Sequence, residues 1–196
     1  VTFPVEPEVL LATVKSLLRM KQADQALRER QAHFALALEA AQMGSWELDL
    51  PTHHARRSLR HDQIFGYPEL LSDWTYQKFL EHVYAEDRAG VERTFREALE
   101  NKANWDFACR IHRADGELRW IAAKGNIQFD VAGKARRMVG VVSDITERKL
   151  VQEALRINEQ ALRIAQEAAH AGTWDWDMRR GTLEWSEEYY KLYGIT

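Results

Sequence analysis

The sequence predicts an α+β fold: an antiparallel five-stranded sheet with short helices on one side, flanked by long N- and C-terminal connector helices. Residues 8–42 and 147–171 contain no Gly or Pro and are rich in helix-forming residues. Between them, two short strands precede several short helices, and three alternating strands then follow in succession. That order is typical of α+β domains whose helices are segregated to one face of the sheet.

Composition and charge are typical of a globular protein and give no support for a nucleic-acid-binding or a membrane protein. Of the 196 residues, 45% are hydrophobic and 29% are charged, which suffices for an ordinary globular core. The net charge of −3 gives no electrostatic reason to expect nucleic acid or a membrane surface as a partner. The sequence shows no apolar run of membrane-spanning length and no signal peptide, and its one cysteine, Cys109, fits a reducing compartment. We therefore expect a cytoplasmic location.

The chain repeats itself at a distance of 128 residues. The segment EAAQMGSWELD at residues 39–49 returns as EAAHAGTWDWD at residues 167–177. The match continues without a gap, and it places Trp185 of the second copy opposite Arg57 of the first. A period of this length is that of a domain with its connector, because solenoid units span only about 20–50 residues. The sequence predicts one complete module and the opening of a second.

Each long helix carries a heptad seam, which is typical of paired helices. The two seams are Met20, Ala23, Leu27, Arg30, Phe34, Ala37 and Ala41, and Val151, Leu155, Asn158, Leu162, Ala165 and Ala169. Arg30 and Asn158 occupy the same slot, where a polar residue lowers stability but can fix register. We expect a homodimer through these connector helices. The alternative is that each helix packs on its own domain.

Short elements are expected after the first long helix. Alternating apolar residues predict a strand over 45–50, and a weaker strand covers 54–58. Short helices are expected near 59–66 and 75–84, because a Gly-Tyr-Pro sequence breaks the segment between them. A longer helix over 87–102 carries an apolar stripe on one side.

Three strands complete the predicted sheet. Residues 105–111 alternate between apolar and polar side chains, which indicates one buried and one solvated face. Asp115 and Gly116 form a hairpin-turn signal. The next strand covers residues 118–129, and the apolar segment 138–145 forms the third.

This order of elements, with these residues, resembles a PAS domain that ends in a PAC segment. The most specific parts are RADGELRWI at residues 113–121 and GVVSDITERK at residues 140–149, which match the family's DG-x-x-RW hairpin and its G-x-x-x-DIT-E-R-K exit. Residues 163–196 resemble the start of a second PAS domain. The opening, from Phe3 and Pro4 onward, resembles the tail of a response-regulator receiver domain, although a helix with Pro7 in its first turn explains the same residues.

The resemblance implies a division into four parts. These are a receiver-domain tail with a connector helix at 1–33, a PAS/PAC domain at 34–146, a coiled-coil connector at 147–171 and an incomplete second PAS domain at 172–196. The aromatic residues of that last part cannot form a core of their own in so short a segment. We expect it to pack against a partner chain or the first domain, or to be poorly ordered.

The function implied by the resemblance is that of a sensory or relay module in a multidomain bacterial signalling protein. The parent is expected to be a hybrid sensor histidine kinase; a cyclic-di-GMP cyclase or phosphodiesterase, a small-molecule receptor domain and a purely structural spacer stay open. No catalytic motif is recognisable, so we expect no enzyme in this part of the protein. The candidate relay residues are Trp46, Asp144, Thr146 and Glu147, since Asp144 and Glu147 have capping-box spacing before the last helix.

A ligand pocket would lie between the sheet and the short helices. Its candidate residues are Ile64, Phe79, Val83, Phe95, Phe107, Cys109 and Trp120. The same composition suits a filled core. We expect no cofactor and no metal; haem or another small ligand stays open, with His82 in the region where some PAS relatives place a haem ligand. Cys109 falls on the apolar side of its strand, as a small buried hydrophobe does.

Overall fold

The computed structural model describes residues 7–169 and 172–194. The chain divides into two compact units, residues 1–145 and 146–196. The predicted receiver-like opening at Phe3 and Pro4 lies outside the described residues. None of the helices in the described part is both long and apolar enough to cross a lipid bilayer.

The first unit is a long helix followed by a five-stranded sheet with three shorter helices. Its elements are α1 (Pro7–Ala40), β1 (Gly44–Asp49), β2 (Ala55–Arg57), α2 (Leu59–Ile64), α3 (Tyr76–His82), α4 (Ala85–Asn101), β3 (Trp105–His112), β4 (Leu118–Phe129) and β5 (Ala135–Asp144). The strands lie in the order β2-β1-β5-β4-β3, and every neighbouring pair is antiparallel. The predicted α+β fold with an antiparallel five-stranded sheet is confirmed, with element ends shifted by a few residues.

Local sequence signals explain where the helices begin and end. α1 ends because Gln42 adopts a left-handed conformation and Met43 donates its N–H to the carbonyl of Leu38 at 2.8 Å, the pattern of a Schellman cap. Ser58 and Thr75 cap α2 and α3, each accepting a hydrogen bond from the backbone N–H three residues later.

One row of register partners crosses all five strands at the centre of the sheet. In strand order it consists of Arg57, Trp46, Gly140, Gly125 and Trp105. A Cβ on Gly125 would lie 2.6 Å from Cη2 of Trp46, and one on Gly140 would also overlap that indole. The two glycines therefore form the floor on which the Trp46 side chain lies.

The core of the first unit lies between the sheet and α2, α3 and α4. Its buried apolar residues are Trp46, Leu48, Ile64, Phe65, Trp74, Phe79, Leu80, Val83, Val91, Phe95, Ala98, Trp105, Cys109, Ile111, Ile121, Ala123, Met138 and Val142. Many of these side chains are aromatic, which gives each a large buried area and directional ring contacts. The sheet and the helices are thus joined by one continuous apolar layer.

The second unit contains a long helix, a hairpin and a short helix. These are α5 (Thr146–Ala168), β6 (Trp174–Asp177), β7 (Thr182–Trp185) and α6 (Glu187–Leu192). Trp174 pairs with Trp185 in the hairpin, as Trp46 pairs with Arg57 in the first unit. Ser186 caps α6 as Ser58 caps α2. The repeat of 128 residues is therefore a repeat of local structure as well as of sequence.

The second copy leaves exposed the positions that the first copy buries. Trp174, Trp176, Leu192 and Tyr193 correspond to the buried residues Trp46, Leu48, Ile64 and Phe65, and they are 55–66% exposed. Hairpin and helix form locally, because turns and caps specify them. The apolar side of the hairpin and the helix stays exposed within the described part of this unit.

Candidate functional site

The candidate ligand site is a cavity of about 50 Å³ between the sheet and the helices of the first unit. It is lined by Trp46, Leu48, Ala55, His61, Phe65, Trp74, Thr75, Tyr76, Phe79, Trp105, Phe107, Ile121, Ala123 and Val142. Since one water needs about 10–15 Å³ measured in this way, the space fits a few waters or a ligand of a few atoms.

Two of the predicted pocket residues, Phe79 and Phe107, line this cavity. Four others are placed elsewhere: Ile64, Val83, Phe95 and Cys109 are buried in the surrounding core without lining the space. Their role in the structure is packing. The cavity wall is instead completed by aromatic residues that the sequence analysis did not assign to a pocket.

The expectation for Trp120 was wrong. Its neighbours Ile121 and Ala123 point into the core, and alternation along β4 places Trp120 on the other face of the sheet. There it pairs across the ladder with Arg110, whose guanidinium carbon lies 5.7 Å from the indole centroid. Trp120 is therefore part of the outer sheet surface and no part of the cavity.

A buried ion pair lies next to the cavity, beside the lining residue His61. The Arg57 guanidinium donates to both carboxylate oxygens of Asp62, at 2.9 and 3.0 Å, and the two side chains are 4% and 0% exposed. Asp62 also accepts the N–H of Leu71 at 2.8 Å, and Arg57 donates to the Leu71 carbonyl at 2.8 Å. The pair thereby ties the loop between α2 and α3 to β2 and α2.

His61 connects this ion pair to the cavity. Burial raises the pKa of Asp62, but hydrogen bonds from His61, Arg57 and Leu71 outweigh burial and hold that pKa well below its usual range. An ionised carboxylate only accepts, so Nδ1 of His61 donates to Asp62 across 2.9 Å, and Nε2 of the neutral ring is an acceptor. Burial lowers the pKa of His61. His61 is thus a neutral acceptor in the cavity wall.

Tyr76 also lines the cavity, and its hydroxyl is a further buried polar group. It is buried and has no hydrogen-bond partner in the structure. Its ring stacks on Phe95, with centroids 4.5 Å apart. Burial raises the pKa of Tyr76, and Glu92 raises it further, so the phenol stays protonated. A buried hydroxyl without a partner calls for a water or a small polar ligand beside it.

The residues around His82 do not fit haem. Nδ1 of His82 lies 2.7 Å from the His112 carbonyl, to which it must donate, and Nε2 lies 3.1 Å from the Tyr67 hydroxyl. Both ring nitrogens are therefore engaged, and the ring also stacks on Trp74. The nearby cavity holds only a few small atoms. Among the described residues, no group of three or more His, Cys, Asp or Glu side chains is placed to hold a metal ion.

Cys109 lies in the core, 1% exposed. Burial raises the pKa of its thiol to about 12, and the Asp87 charge adds to that effect. The thiolate is the reactive form of cysteine, so both burial and the raised pKa disfavour reaction of this side chain in the folded protein.

Three of the four candidate relay residues, Asp144, Thr146 and Glu147, lie where the sheet ends and the last long helix begins. β5 ends at Asp144 and α5 begins at Thr146, with Glu147 in its first turn. Ile145 comes between them: its side chain is buried, and its N–H donates to the Trp120 carbonyl at 2.8 Å. Because α5 begins at Thr146, the residue directly before the helix is Ile145, one position after the Asp144 that the sequence predicts as the cap.

Other contacts at this junction involve the hairpin between β3 and β4. Nη1 of Arg119 lies 3.9 Å from a carboxylate oxygen of Asp144, and the Arg119 guanidinium also binds Glu117. Trp46, in contrast, pairs with Gly140, four residues before Asp144. The structure therefore links Asp144 to the hairpin and Ile145 to β4, but places Trp46 in the core.

Sequence reasoning missed the Arg57–Asp62–His61 network and the Tyr76 hydroxyl. One signal was present: Arg57 stands opposite Trp185 in the repeat, which marks it as an unusual residue on that strand. His61 and Asp62 fall opposite Tyr189 and Tyr190. An arginine, a histidine and an aspartate thus stand where the second copy has three aromatic residues, a pattern that indicates a mutually dependent group.

Comparison of the sequence and the fold with known proteins shows the family to which this chain belongs. A sequence model described as the PAS fold matches residues 55–142. The crystal structure of a sensory box histidine kinase/response regulator from Burkholderia thailandensis is 32% identical, with 66% of this chain and 97% of that chain covered and a TM-score of 0.58. This fold therefore matches that solved structure over nearly the whole length of the solved chain.

Curated relatives are similar over parts of their length. The sensor protein FixL of Bradyrhizobium diazoefficiens is 31% identical over 134 residues, which are 68% of this chain and 26% of the relative. The probable diguanylate cyclase DgcE of Escherichia coli is 27% identical over 158 residues, which are 81% of this chain and 14% of the relative. The chain thus spans about a quarter or less of these proteins, and it belongs to the PAS-fold family of sensory modules.

Proposed function

We propose that this chain is the sensory and relay part of a hybrid sensor histidine kinase. It pairs with a second copy through α1 and α5, and it passes a change in the PAS domain to an output domain through the junction of β5 and α5. The observation that carries this proposal is the similarity over nearly the full length of the sensory box histidine kinase/response regulator structure.

The junction suits a relay because sheet and helix are joined by one residue. Ile145 is held by the core and by its hydrogen bond to Trp120, while Thr146 already belongs to α5. A displacement of β4 or β5 is therefore transmitted to the first turn of the helix without a flexible linker to absorb it. Asp144 and Arg119 connect the same point to the hairpin.

The exposed seams support pairing through the long helices. Leu27 and Phe34 of α1 are 54% and 62% exposed, and Leu155 and Leu162 of α5 are 57% and 61% exposed. Leucine and phenylalanine side chains on a heptad seam gain about 1.5–3 kcal/mol each when fully buried. A second copy of the chain offers the matching seam.

The proposed division of the chain follows from this function. Residues 1–33 are a receiver-domain tail and connector, 34–146 the PAS/PAC domain, 147–171 the second connector, and 172–196 the start of a further PAS domain. The protein would act in the cytoplasm, and its neighbours in signalling would be other domains of the same chain.

A diguanylate cyclase parent is the second candidate. The observation that favours it is the similarity to DgcE, which extends over 81% of this chain, a larger share than for FixL. The chain is similar both to a sensor protein and to a probable diguanylate cyclase, so the module itself is compatible with either class of parent. A small-molecule receptor is less favoured, because the cavity is small.

The test uses the full-length gene product and two variants. Incubation with ATP should yield a phosphorylated histidine, and incubation with GTP should yield no cyclic dinucleotide; the reverse result would establish the cyclase instead. Asp144→Asn and Thr146→Ala should change the output rate without changing the thermal midpoint of the PAS domain. Asp106→Asn, an exposed site on β3, is the matched control. Wild-type output in both junction variants would contradict the relay.

A further inference from the structure

Two histidines hold the segment 65–75, which connects α2 to α3. The ring of His61, in α2, lies 4.8 Å from that of Phe65 and 5.0 Å from that of Trp74, between centroids. The ring of His82, in α3, lies 5.4 and 5.5 Å from the same two rings. The four rings therefore form one cluster, which joins the segment to both helices.

His61 also acts on the segment through its neighbour in α2. The Asp62 carboxylate, to which Nδ1 of His61 donates, accepts the N–H of Leu71 at 2.8 Å. Arg57 donates to the Leu71 carbonyl at 2.8 Å. Both backbone groups of Leu71 are thus held by one network of three side chains. Of these three, only the imidazole changes its charge near neutral pH.

His82 holds the segment through the Tyr67 hydroxyl. Since Nδ1 of His82 donates to the His112 carbonyl, Nε2 of the neutral ring can only accept from Tyr67, across 3.1 Å. A proton on Nε2 turns this nitrogen into a donor, and the hydrogen bond can then persist only in the reverse direction. The hydrogen bond in its present direction therefore requires a neutral His82.

The surroundings of His61 oppose a second proton on its ring. The residue is 4% exposed, and burial lowers its pKa, although the hydrogen bond to Asp62 acts against that effect. The charges of Arg57 and of a protonated His82 lower the pKa further. From β1, the residue meets only the backbone of Gly44, which has no side chain to accept a hydrogen bond. The folded protein thus favours neutral His61.

His82 is perturbed in the same direction. Burial lowers its pKa, and the hydrogen bond to the His112 carbonyl acts against that effect. On α3 itself, the charge of Lys78 lowers the pKa and that of Glu81 raises it. Both histidines therefore bind protons more weakly in the folded domain than they would if the segment were released.

We propose that His61 and His82 form a proton-sensitive latch, which holds residues 65–75 while both rings are neutral and releases them when the rings take up protons. The latch follows from the contacts of the two rings with the segment. Its use as an input rests on the proposed function, because a sensory module would pass the release on to its output domain. The proton concentration is then the signal.

The second copy of the repeat does not carry the His61 part of the latch. Trp185, Tyr189 and Tyr190 stand opposite Arg57, His61 and Asp62. Tryptophan and tyrosine do not change their charge near neutral pH. A buried ion pair contributes little stability compared with well-packed residues of similar volume. The polar network of the first copy therefore supports a task other than stability.

Release of the segment would reach the end of the sheet through the hairpin between β3 and β4. The Phe65 carbonyl accepts the N–H of Ala114, in that hairpin, at 2.9 Å. Gly66 lies so close that a Cβ on it would be 2.9 Å from the same nitrogen. The hairpin is in turn connected to Asp144 by Arg119. Movement of the segment therefore displaces groups that contact the last residue of β5.

Proton linkage sets the expected size of the release. Once the segment is released, each histidine has its ordinary pKa of 6.5. Between about pH 7.5 and 5.5, a histidine that binds its proton only in the released form favours release by about tenfold, and two such histidines by about a hundredfold. Above this range the effect disappears, because neither form binds the proton.

Hydrogen–deuterium exchange of the whole chain, followed by mass spectrometry, tests the latch. Protection at about pH 7.5 and 5.5 is compared after correction for the intrinsic exchange rate at each pH. The amides of residues 65–75 should lose protection by about ten- to a hundredfold in acid, whereas those of β4 should keep theirs. Unchanged protection of the segment would overturn the proposal, and so would an equal loss in β4, which reports global unfolding.

Two variants identify the histidines. His61→Asn and His82→Asn keep an N–H donor but do not titrate, so each should reduce the effect of acid on residues 65–75 by about tenfold, and the double variant should remove it. His33→Asn, on the exposed face of α1, is the control and should behave as the wild type. A double variant that still loses protection in acid would refute the latch.

Proton NMR of the wild-type histidine rings covers the case in which a variant releases the segment already at about pH 7.5. His61 and His82 should take up protons together with the loss of amide protection in residues 65–75. Protonation of either ring while these amides stay protected would contradict the proposal.

The output of the full-length gene product separates the latch from the proposed function. Acid should change the output of the wild type but not that of the double histidine variant; the same ratio of outputs in both would exclude the proton as the signal. Wild-type output in Asp144→Asn and Thr146→Ala, with exchange in residues 65–75 that still depends on pH, would refute the relay and leave the latch.

Discussion

The indole ring of Trp46 meets the indole of Trp105 edge to face, with centroids 5.9 Å apart and planes at 80°, above Gly125 and Gly140. Edge-to-face contacts of this kind add about 0.5–1.5 kcal/mol to the burial of the rings. The two tryptophans come from strands on either side of the glycine pair. The contact therefore depends on two positions that carry no side chain.

Gly140→Ala should destabilise the PAS domain by about 2 kcal/mol, because the new methyl group overlaps both the Trp46 indole and the Lys124 carbonyl. Gly90→Ala is the matched control: it lies in α4, has no atom within 4 Å of the added Cβ, and should raise stability by about 0.5–1 kcal/mol. Urea unfolding measures both. Equal effects in the two variants would refute the role of the glycine floor.

Arg57→Met should cost about 3–5 kcal/mol, because it leaves the Asp62 carboxylate buried without its cation. Addition of Asp62→Leu should recover part of that loss, since no charge is then left in the interior. Urea unfolding of the single and double variants gives the coupling free energy. Losses that simply add would mean that the two side chains do not depend on each other.

The PAS domain should lose stability as the pH falls from about 7.5 to 5.5. Burial holds the pKa of His61 below its ordinary value of 6.5, and it does the same for His82. Below that ordinary value the unfolded chain binds protons that the folded chain excludes, so acid favours unfolding; above it the effect disappears. Over this range each histidine contributes at most about 1.4 kcal/mol.

His61→Asn is the variant for that test. It removes one titrating group and keeps an N–H that can donate to Asp62, so its free energy of unfolding should depend less on pH than that of the wild type. His33→Asn, on the exposed face of α1, is the control and should follow the wild-type curve. If the free energy of unfolding depends on pH in the same way in all three proteins, His61 is not the cause of the loss of stability in acid.

Cys109 should not react with a thiol reagent in the native protein at about pH 8, because burial raises the pKa of its thiol to about 12 and shields it. In denaturing urea the same reagent should titrate one thiol per chain, since the sequence contains one cysteine. Rapid labelling of the folded protein would show that the core around β3 opens readily.

The sequence predicted elements well where the signal is local. Ser58 and Thr75 mark helix starts, and the alternation in β3 and β4 marks strands, because caps and side-chain periodicity act within a few residues. The prediction failed at Trp120, whose side of the sheet depends on register. Register is set by the turn between β3 and β4, and a shift of one residue reverses every side chain.

The α+β class, the repeat at 128 residues and the seams of the long helices can be predicted from the order and periodicity of the residues alone. The packing of the elements in three dimensions sets the ion pair between Arg57 of β2 and Asp62 of α2, the space that Gly125 and Gly140 leave for Trp46, and the small cavity between the sheet and the helices. Such contacts join residues from different strands and helices. They depend on how the elements pack, which no local pattern encodes.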